Sequence, residues 1–111
     1  MVAPGWRPAW QTGAMTAVTE IAFFYVKPGD EDAFAAAAGQ AKRFIEVSDG
    51  CRDVRLRQGV ETPTTFVLTV EWDSLDAHQA FRDSDRLLQW RGPIAGFFAK
   101  DPFVEHYAVR G

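Results

Sequence analysis

The stretch TTFVLTVEWDSLDAHQAFRDSD, which runs from Thr64 to Asp85, decides the fold of this chain. Its first half is rich in β-branched and aromatic residues, which favour a strand over Thr65–Trp72. Asp73 or Ser74 then provides a helix N-cap, and Asp76 places negative charge in the first helical turn. The sequence therefore predicts a strand that passes directly into a helix without a linker.

The predicted helix has one apolar stripe, and its only histidine lies beside that stripe. At about 100° per residue, the stripe contains Ala77, Ala80, Phe81, Ser84 and Leu88. His78 falls about 60° to one side, which places it at the rim of the buried surface. Asp83-Ser84-Asp85 predicts a break in the helix.

The rest of the chain adds three strands and further helical segments. The predicted strands are Val18–Val26, Cys51–Gln58, whose arginines suit a sheet edge, and Phe103–Val109. The first predicted helix begins at Asp30 and ends near Val47. A shorter helical piece, interrupted by Gly92-Pro93, is predicted over Arg86–Lys100 after the second helix. The order βαββαβ predicts an α+β, ferredoxin-like sandwich, in which two helices cover one face of an antiparallel sheet.

The first strand carries apolar residues on both of its faces. Either Phe23 and Tyr25, or Ala22 and Phe24, would face solvent on the side of the sheet without helices. Exposed apolar patches of this kind usually mark a partner surface. We therefore predict a homodimer that forms through the open sheet face.

Composition excludes several classes of function. The 111 residues include nine Phe and four Trp, which is typical of one globular domain, here 18–111 after a poorly ordered tail over 1–17. A net charge of −3 without a basic stripe argues against nucleic acid and membrane surfaces as partners. The single Cys51 favours a cytoplasmic location and excludes a Cys-rich metal site. Met15, directly before the first strand, is an alternative start.

Four segments resemble the antibiotic biosynthesis monooxygenase (ABM) family of dimeric α/β barrels. They are FVLTVEW (Phe66–Trp72), DSLDAHQAF (Asp73–Phe81), the Ser84-Asp85 break and PFVEHY (Pro102–Tyr107). The family includes cofactor-free quinone-forming monooxygenases, haem-degrading enzymes and isomerases. The resemblance implies a homodimer with a small apolar pocket between sheet and helices.

The resemblance favours one branch of the family over another. The haem-degrading branch uses an Asn, a Trp and a His at positions that hold Ala22, Phe81 and Arg91 here, so none of the three is kept. The branch that oxidises polycyclic phenols uses an Asn, a Trp, a Tyr and an Arg. The corresponding positions are Leu68, Trp72, His78 and Arg91.

On this resemblance we expect a small hydrophobic or aromatic ligand and no cofactor or metal. His78, with a free pKa of about 6.5, would be the base, and Arg91 would stabilise a phenolate unless it caps its helix or pairs with Asp85. The substrate would contact Trp72, Phe81, Leu68, Ala22 and Phe24. His106 is expected to form a hydrogen bond at the dimer interface.

Two other functions fit the same sequence. One is a non-catalytic dimeric barrel that binds a small hydrophobic ligand. The other is an isomerase or cyclase, in which His78 would move a proton without consumption of O₂.

Overall fold

Four strands form one antiparallel sheet, and the helices pack on one of its faces. The computed structural model describes residues 16–110, so Met15 and almost all of the predicted tail lie outside the described residues. The strands are β1 (Val18–Val26), β2 (Cys51–Gln58), β3 (Thr65–Trp72) and β4 (Phe98–Tyr107), in the sheet order β2-β3-β1-β4. The helices are α1 (Glu31–Ala41), α2 (Arg43–Glu46), α3 (Leu75–Arg82) and α4 (Asp85–Arg91), followed by a 3-10 turn over Ala95–Phe97. The predicted ferredoxin-like α+β fold is confirmed.

The side chains of β1 alternate strictly between the two faces of the sheet. Ala22 and Phe24 are buried under the helices, whereas Phe23 and Tyr25 lie half-buried on the open face. Antiparallel pairing places Phe103 of β4 directly opposite Phe23, with ring centroids 6.3 Å apart. The open face is therefore the one that carries Phe23, Tyr25 and Phe103.

The predicted joint between β3 and α3 is confirmed. β3 covers Thr65–Trp72, and the Ser74 hydroxyl accepts a hydrogen bond from the Ala77 backbone N–H at 3.1 Å. This cap satisfies one of the free N–H groups of the first helical turn. The break is confirmed too, since α3 ends at Arg82 and α4 begins at Asp85.

The phase of α4 differs from the prediction. Leu88, placed in the buried stripe by the sequence, is 70% exposed, and Trp90 and Ile94 are buried instead. The break at Asp83-Ser84 rotates α4 relative to α3, so the 100° periodicity of α3 does not continue across it. The helical piece also ends at Arg91 rather than at Lys100.

The last strand is shifted towards the N-terminus. β4 begins at Phe98, paired with Val26, and ends at Tyr107, paired with Thr19. The prediction of Phe103–Val109 was wrong at both ends because β1 offers partners along its whole length and none beyond Val18. β2 is an edge strand, as predicted, and its exposed Arg55 pairs with Asp53 at 2.9 Å.

No helix within residues 16–110 is long and apolar enough to cross a membrane.

Candidate functional site

A cavity of about 130 Å³ lies between β1, β4 and the helices. Its floor comes from alternate residues of β1 because the strand periodicity turns Glu20, Ala22 and Phe24 to the helix side. The remaining walls are Ile45, His78, Phe81, Arg82, Leu87, Trp90, Arg91, Ile94, Phe98, Pro102 and Val104. Val104 is 44% exposed, which places the mouth of the cavity at the β4 edge. The lining thus mixes apolar side chains with the polar or charged side chains of Glu20, His78, Arg82 and Arg91.

Five of the seven predicted site residues line this cavity. They are His78, Arg91, Phe81, Ala22 and Phe24. Leu68 and Trp72 do not line it and are 1% and 0% exposed in the core. Their strand, β3, lies on the far side of β1 from β4, whereas the cavity is above β1 and β4. A substrate in this cavity would therefore not touch Leu68 or Trp72, and a substrate contact of these two residues stays a prediction without support from the cavity.

Trp72 instead supports the polar end of the cavity from behind. Its indole Nε1–H donates to Glu20 Oε1 at 2.9 Å. Its ring lies 5.6 Å from the His78 ring and 5.8 Å from the Phe81 ring, measured between centroids. Trp72 thus fixes three cavity side chains without lining the cavity itself.

A chain of close polar contacts continues from Glu20. The second turn of α3 brings His78 Nε2 to 3.5 Å from Glu20 Oε1, and His78 Nδ1 lies 3.0 Å from His106 Nε2. Glu20 and His78 are 9% and 7% exposed. His106 is opposite Glu20 in the β1–β4 register, so it shares the helix side of the sheet. His106 therefore makes a contact within the chain, and its expected hydrogen bond at a dimer interface stays a prediction.

Burial governs the ionisation of these groups. Desolvation raises the pKa of Glu20, although the Trp72 hydrogen bond and the positive charge of Arg82 act against it. Desolvation lowers the pKa of His78 to about 4, helped by the charges of His106 and Arg82, and it also lowers the pKa of His106. At neutral pH both imidazoles are therefore uncharged.

Two arginines bring positive charge to the cavity. Arg82 and Arg91 both line it, and both are exposed. Within residues 16–110, Arg91 forms no salt bridge with Asp85, which was one of the two structural alternatives for this residue beside a helix cap. Both guanidinium groups therefore remain available to an anionic ligand.

One ligand atom each from Glu20, His78 and His106 lies within 4.8 Å of the others, a spacing that a metal ion could use. The actual contacts differ from those of a metal site. His78 turns Nε2 to Glu20 and Nδ1 to His106, so its two nitrogens serve opposite neighbours. A metal ion would need one nitrogen from each ring directed at a common point. The arrangement fits a hydrogen-bonded chain better, and the absence of a metal stays a prediction.

The sequence reasoning missed Glu20, Arg82 and the role of His106. The sequence does indicate Glu20, because it is a carboxylate inside the apolar strand VTEIAFFYV. Alternate residues of a strand share one face, so Glu20 lies on the same face as Ala22 and Phe24. Burial of a lone carboxylate is costly, so such a residue usually has partners and a function. His106 had no such signal, since its pairing with His78 depends on the β1–β4 register.

Comparison with known proteins points to one family. The family model described as antibiotic biosynthesis monooxygenase matches residues 17–92. The uncharacterized protein YczJ of Bacillus subtilis is 32% identical over 91 residues, which cover 81% of this chain and 96% of YczJ. A candidate antibiotic biosynthesis monooxygenase from Bordetella bronchiseptica has a similar structure, with a TM-score of 0.80, 33% identity, and coverage of 86% of this chain and 98% of that chain. A conserved protein from Methanosarcina mazei shares the fold at 20% identity, with a TM-score of 0.77 and coverage of 86% and 95%.

Proposed function

Because the chain belongs to the antibiotic biosynthesis monooxygenase family, we propose that it is a cofactor-independent monooxygenase that oxidises a one-ring phenol or hydroquinone with O₂. The observation that carries this proposal is the cavity itself. It combines apolar walls with a buried carboxylate–imidazole pair at one end and two arginines in its lining. An electron-rich phenol needs a proton acceptor, a stabilised anion and a dry surrounding to react with O₂.

Cavity size narrows the substrate class. A cavity of about 150 Å³ accommodates benzene, and the cavity here has a volume of about 130 Å³. This volume is close to that needed for one aromatic ring and is too small for a polycyclic anthrone. A shallower groove shares Arg91, Phe98 and Pro102 with the cavity and can take a ring substituent.

The reaction balances without a flavin, metal or external reductant. Proton removal gives a phenolate, which transfers an electron to O₂, and recombination forms a ring C–O bond as a peroxide. Loss of water from the peroxide leaves a quinone, so phenol plus O₂ yields quinone plus H₂O. The proton taken from the phenol returns to the departing oxygen. The chain's own residues bind the ring, hold the proton and stabilise the anion.

Oxygen uptake tests the proposal directly. We expect wild-type protein, dialysed against a chelator, to consume O₂ with one-ring phenols and hydroquinones faster than with naphthols or anthrones. The variant Val104→Trp fills the cavity mouth at a half-exposed position and should abolish uptake. Val60→Trp, at a residue 88% exposed and distant from the cavity lining, should leave it unchanged.

The contrary outcome is equally clear. If no member of the panel consumes O₂ faster than buffer, the monooxygenase proposal is wrong. Thermal stabilisation by the same phenols without O₂ uptake would then favour a ligand-binding barrel. Conversion of a ligand to an isomer of equal mass would favour an isomerase or cyclase.

We also propose that two copies pack through their open sheet faces and that the dimer works in the cytoplasm, where the lone Cys51 stays reduced. Phe103 and Tyr107 are 50% and 47% exposed there, beside the half-buried Phe23 and Tyr25. This apolar surface supports a partner that removes it from water. A second copy offers a self-complementary surface by two-fold symmetry.

A further inference from the structure

Glu20 is the only buried carboxylate among residues 16–110. It lies near the start of β1 and faces the helices, where a charged group costs several kcal/mol unless it is paired. Its contacts come from two sides, with the indole of Trp72 on β3 and the imidazole of His78 on α3. The fold therefore buries the Glu20 carboxylate beside the cavity although its desolvation is unfavourable.

Both contacts of Glu20 use the same carboxylate oxygen. Trp72 Nε1 lies 2.9 Å from Oε1, and His78 Nε2 lies 3.5 Å from Oε1. Within residues 16–110, no hydrogen bond to Oε2 is present, and no fully buried side-chain oxygen or nitrogen lacks a partner. Glu20 lines the cavity. Trp72 holds Oε1, which leaves Oε2 as the carboxylate oxygen available to a ligand there.

Unlike the carboxylate of Glu20, the imidazole of His78 has a neighbour at each of its two polar atoms. Its Nε2 is directed at Glu20 and its Nδ1 at His106, so neither ring nitrogen is free. A neutral imidazole has one donor and one acceptor nitrogen. The Glu20 carboxylate, 3.5 Å from Nε2, favours the His78 tautomer that carries its proton on Nε2. In that tautomer Nδ1 accepts from His106 Nε2–H, and His78 has no lone pair left for a substrate. His106 reaches the cavity only through His78, since it is not part of the lining.

We propose that Glu20, through Oε2, is the catalytic residue that accepts the proton of the phenolic hydroxyl, and that His78 and His106 are positioning residues that orient its carboxylate. This assignment rests on the proposed function for the nature of the substrate. It replaces His78, the base expected from the sequence, by a residue that the sequence reasoning had not selected. The raised pKa of Glu20 agrees with the assignment because burial makes it a stronger base than an exposed carboxylate.

The proposed proton transfer moves a negative charge from Glu20 to the bound phenol. The phenolic O–H bond breaks and the Oε2–H bond forms, so the negative charge passes from the carboxylate to the phenolate oxygen. Arg82 and Arg91 in the lining then face the new anion, and the Trp72 indole continues to hold Oε1. The lowered pKa of His78 and of His106 makes both imidazoles weaker proton acceptors than a free histidine, so they compete less with Glu20 for the proton.

A proton count on ligand binding tests this assignment without any need for turnover. The probe is 4-nitrophenol, bound at a pH above its own pKa, where it is a phenolate in solution. Calorimetric titration in two buffers of different ionisation enthalpy gives the number of protons taken up. We expect wild-type protein to take up close to one proton per bound probe, because the phenolate cannot lie beside an ionised Glu20 unless a proton is shared.

Three variants separate the alternatives. Glu20→Gln should take up almost no proton, and its amide oxygen can still accept from Trp72, so the fold is retained. His78→Gln should still take up close to one proton, while its rate of O₂ consumption falls because Oε1 loses one of its two contacts. Glu61→Gln, at an exposed loop carboxylate, should behave as wild type.

Proton uptake that survives in Glu20→Gln, or that is lost in His78→Gln, overturns the assignment. Far-ultraviolet circular dichroism of each variant excludes loss of the fold as the cause. Failure of the proposed function looks different, since wild-type protein would then bind the probe with proton uptake but consume no O₂ with any phenol. Absence of probe binding to wild-type protein overturns both proposals.

Discussion

Gly50 shows at the scale of one residue how the joint between the helices and the sheet depends on a missing side chain. It has a φ of 81°, and a Cβ atom added there would lie 2.5 Å from the Cβ of Ala77 on α3. Its carbonyl also accepts a hydrogen bond from the Asp73 N–H at 2.7 Å. The loop before β2 can therefore approach the start of α3 only because residue 50 is glycine.

We predict that Gly50→Ala lowers the free energy of unfolding by at least about 2 kcal/mol, since left-handed backbone strain and overpacking add. Gly39→Ala is the matched control, because a Cβ at this exposed position of α1 meets nothing within 4 Å. Alanine there should stabilise the protein by about 0.5–1 kcal/mol. Urea unfolding measures both variants. Equal stability of Gly50→Ala and wild-type protein would contradict the close approach.

The buried His78 and the half-buried His106 predict how the free energy of unfolding changes with pH. The folded pKa of His78 is about 4, against an ordinary value of 6.5. Below pH 6.5 the unfolded chain therefore binds a proton that the folded chain refuses, and the free energy of unfolding falls until about pH 4. His106 contributes in the same direction. The expected loss from His78 is roughly 2–3 kcal/mol.

Glu20 changes the free energy of unfolding with pH in the direction opposite to His78. Its folded pKa is raised above 4.5, so its contribution to stability is present below pH 4.5 and is lost as pH rises through the folded pKa. We expect His78→Gln to flatten the fall in stability between pH 6.5 and 4, and Glu20→Gln to steepen it. Urea unfolding across that range measures the slopes. A steeper profile in His78→Gln would show that its pKa is not lowered.

At the scale of elements, the sequence predicted correctly those strands and helix ends whose structure depends on adjacent residues. β1, β2 and β3 have the predicted bounds, and the Ser74 cap begins α3, because strand composition and capping are properties of adjacent residues. The phase of α4 was not predictable from α3, since two residues of broken helix separate them. β4 was misplaced because its ends depend on what β1 offers as a partner.

The candidate site was predicted from the family resemblance, and the structure separates its seven residues into two groups. Ala22, Phe24, Phe81, His78 and Arg91 line the cavity, whereas Trp72 and Leu68 lie on β3, outside its lining. The contact of His106 with His78 joins residues 28 positions apart and exists only through sheet register. Sequence periodicity assigns a face of an element, but the meeting of two elements requires the tertiary fold.

For the whole molecule, the open sheet face predicts the state of assembly. Phe103 is 50% exposed and faces Phe23 across the β1–β4 pair. Burial of a Phe side chain contributes about 1.5–3 kcal/mol, and a two-fold interface buries each residue twice. We predict that wild-type protein has about twice the 12.4 kDa chain mass by light scattering at micromolar concentration.

The variant Phe103→Glu tests whether this face forms the contact. A carboxylate in the centre of the interface would be buried beside its symmetry mate, and both desolvation and like-charge repulsion oppose association. We expect a monomer, or at least a tenfold weaker dimer, for this variant. Val60→Glu adds the same charge at a loop residue that is 88% exposed, and it should remain dimeric. A monomeric wild-type protein would contradict the proposed dimer. A Phe103→Glu variant that associates normally would show that the dimer does not form through the aromatic residues of β1 and β4.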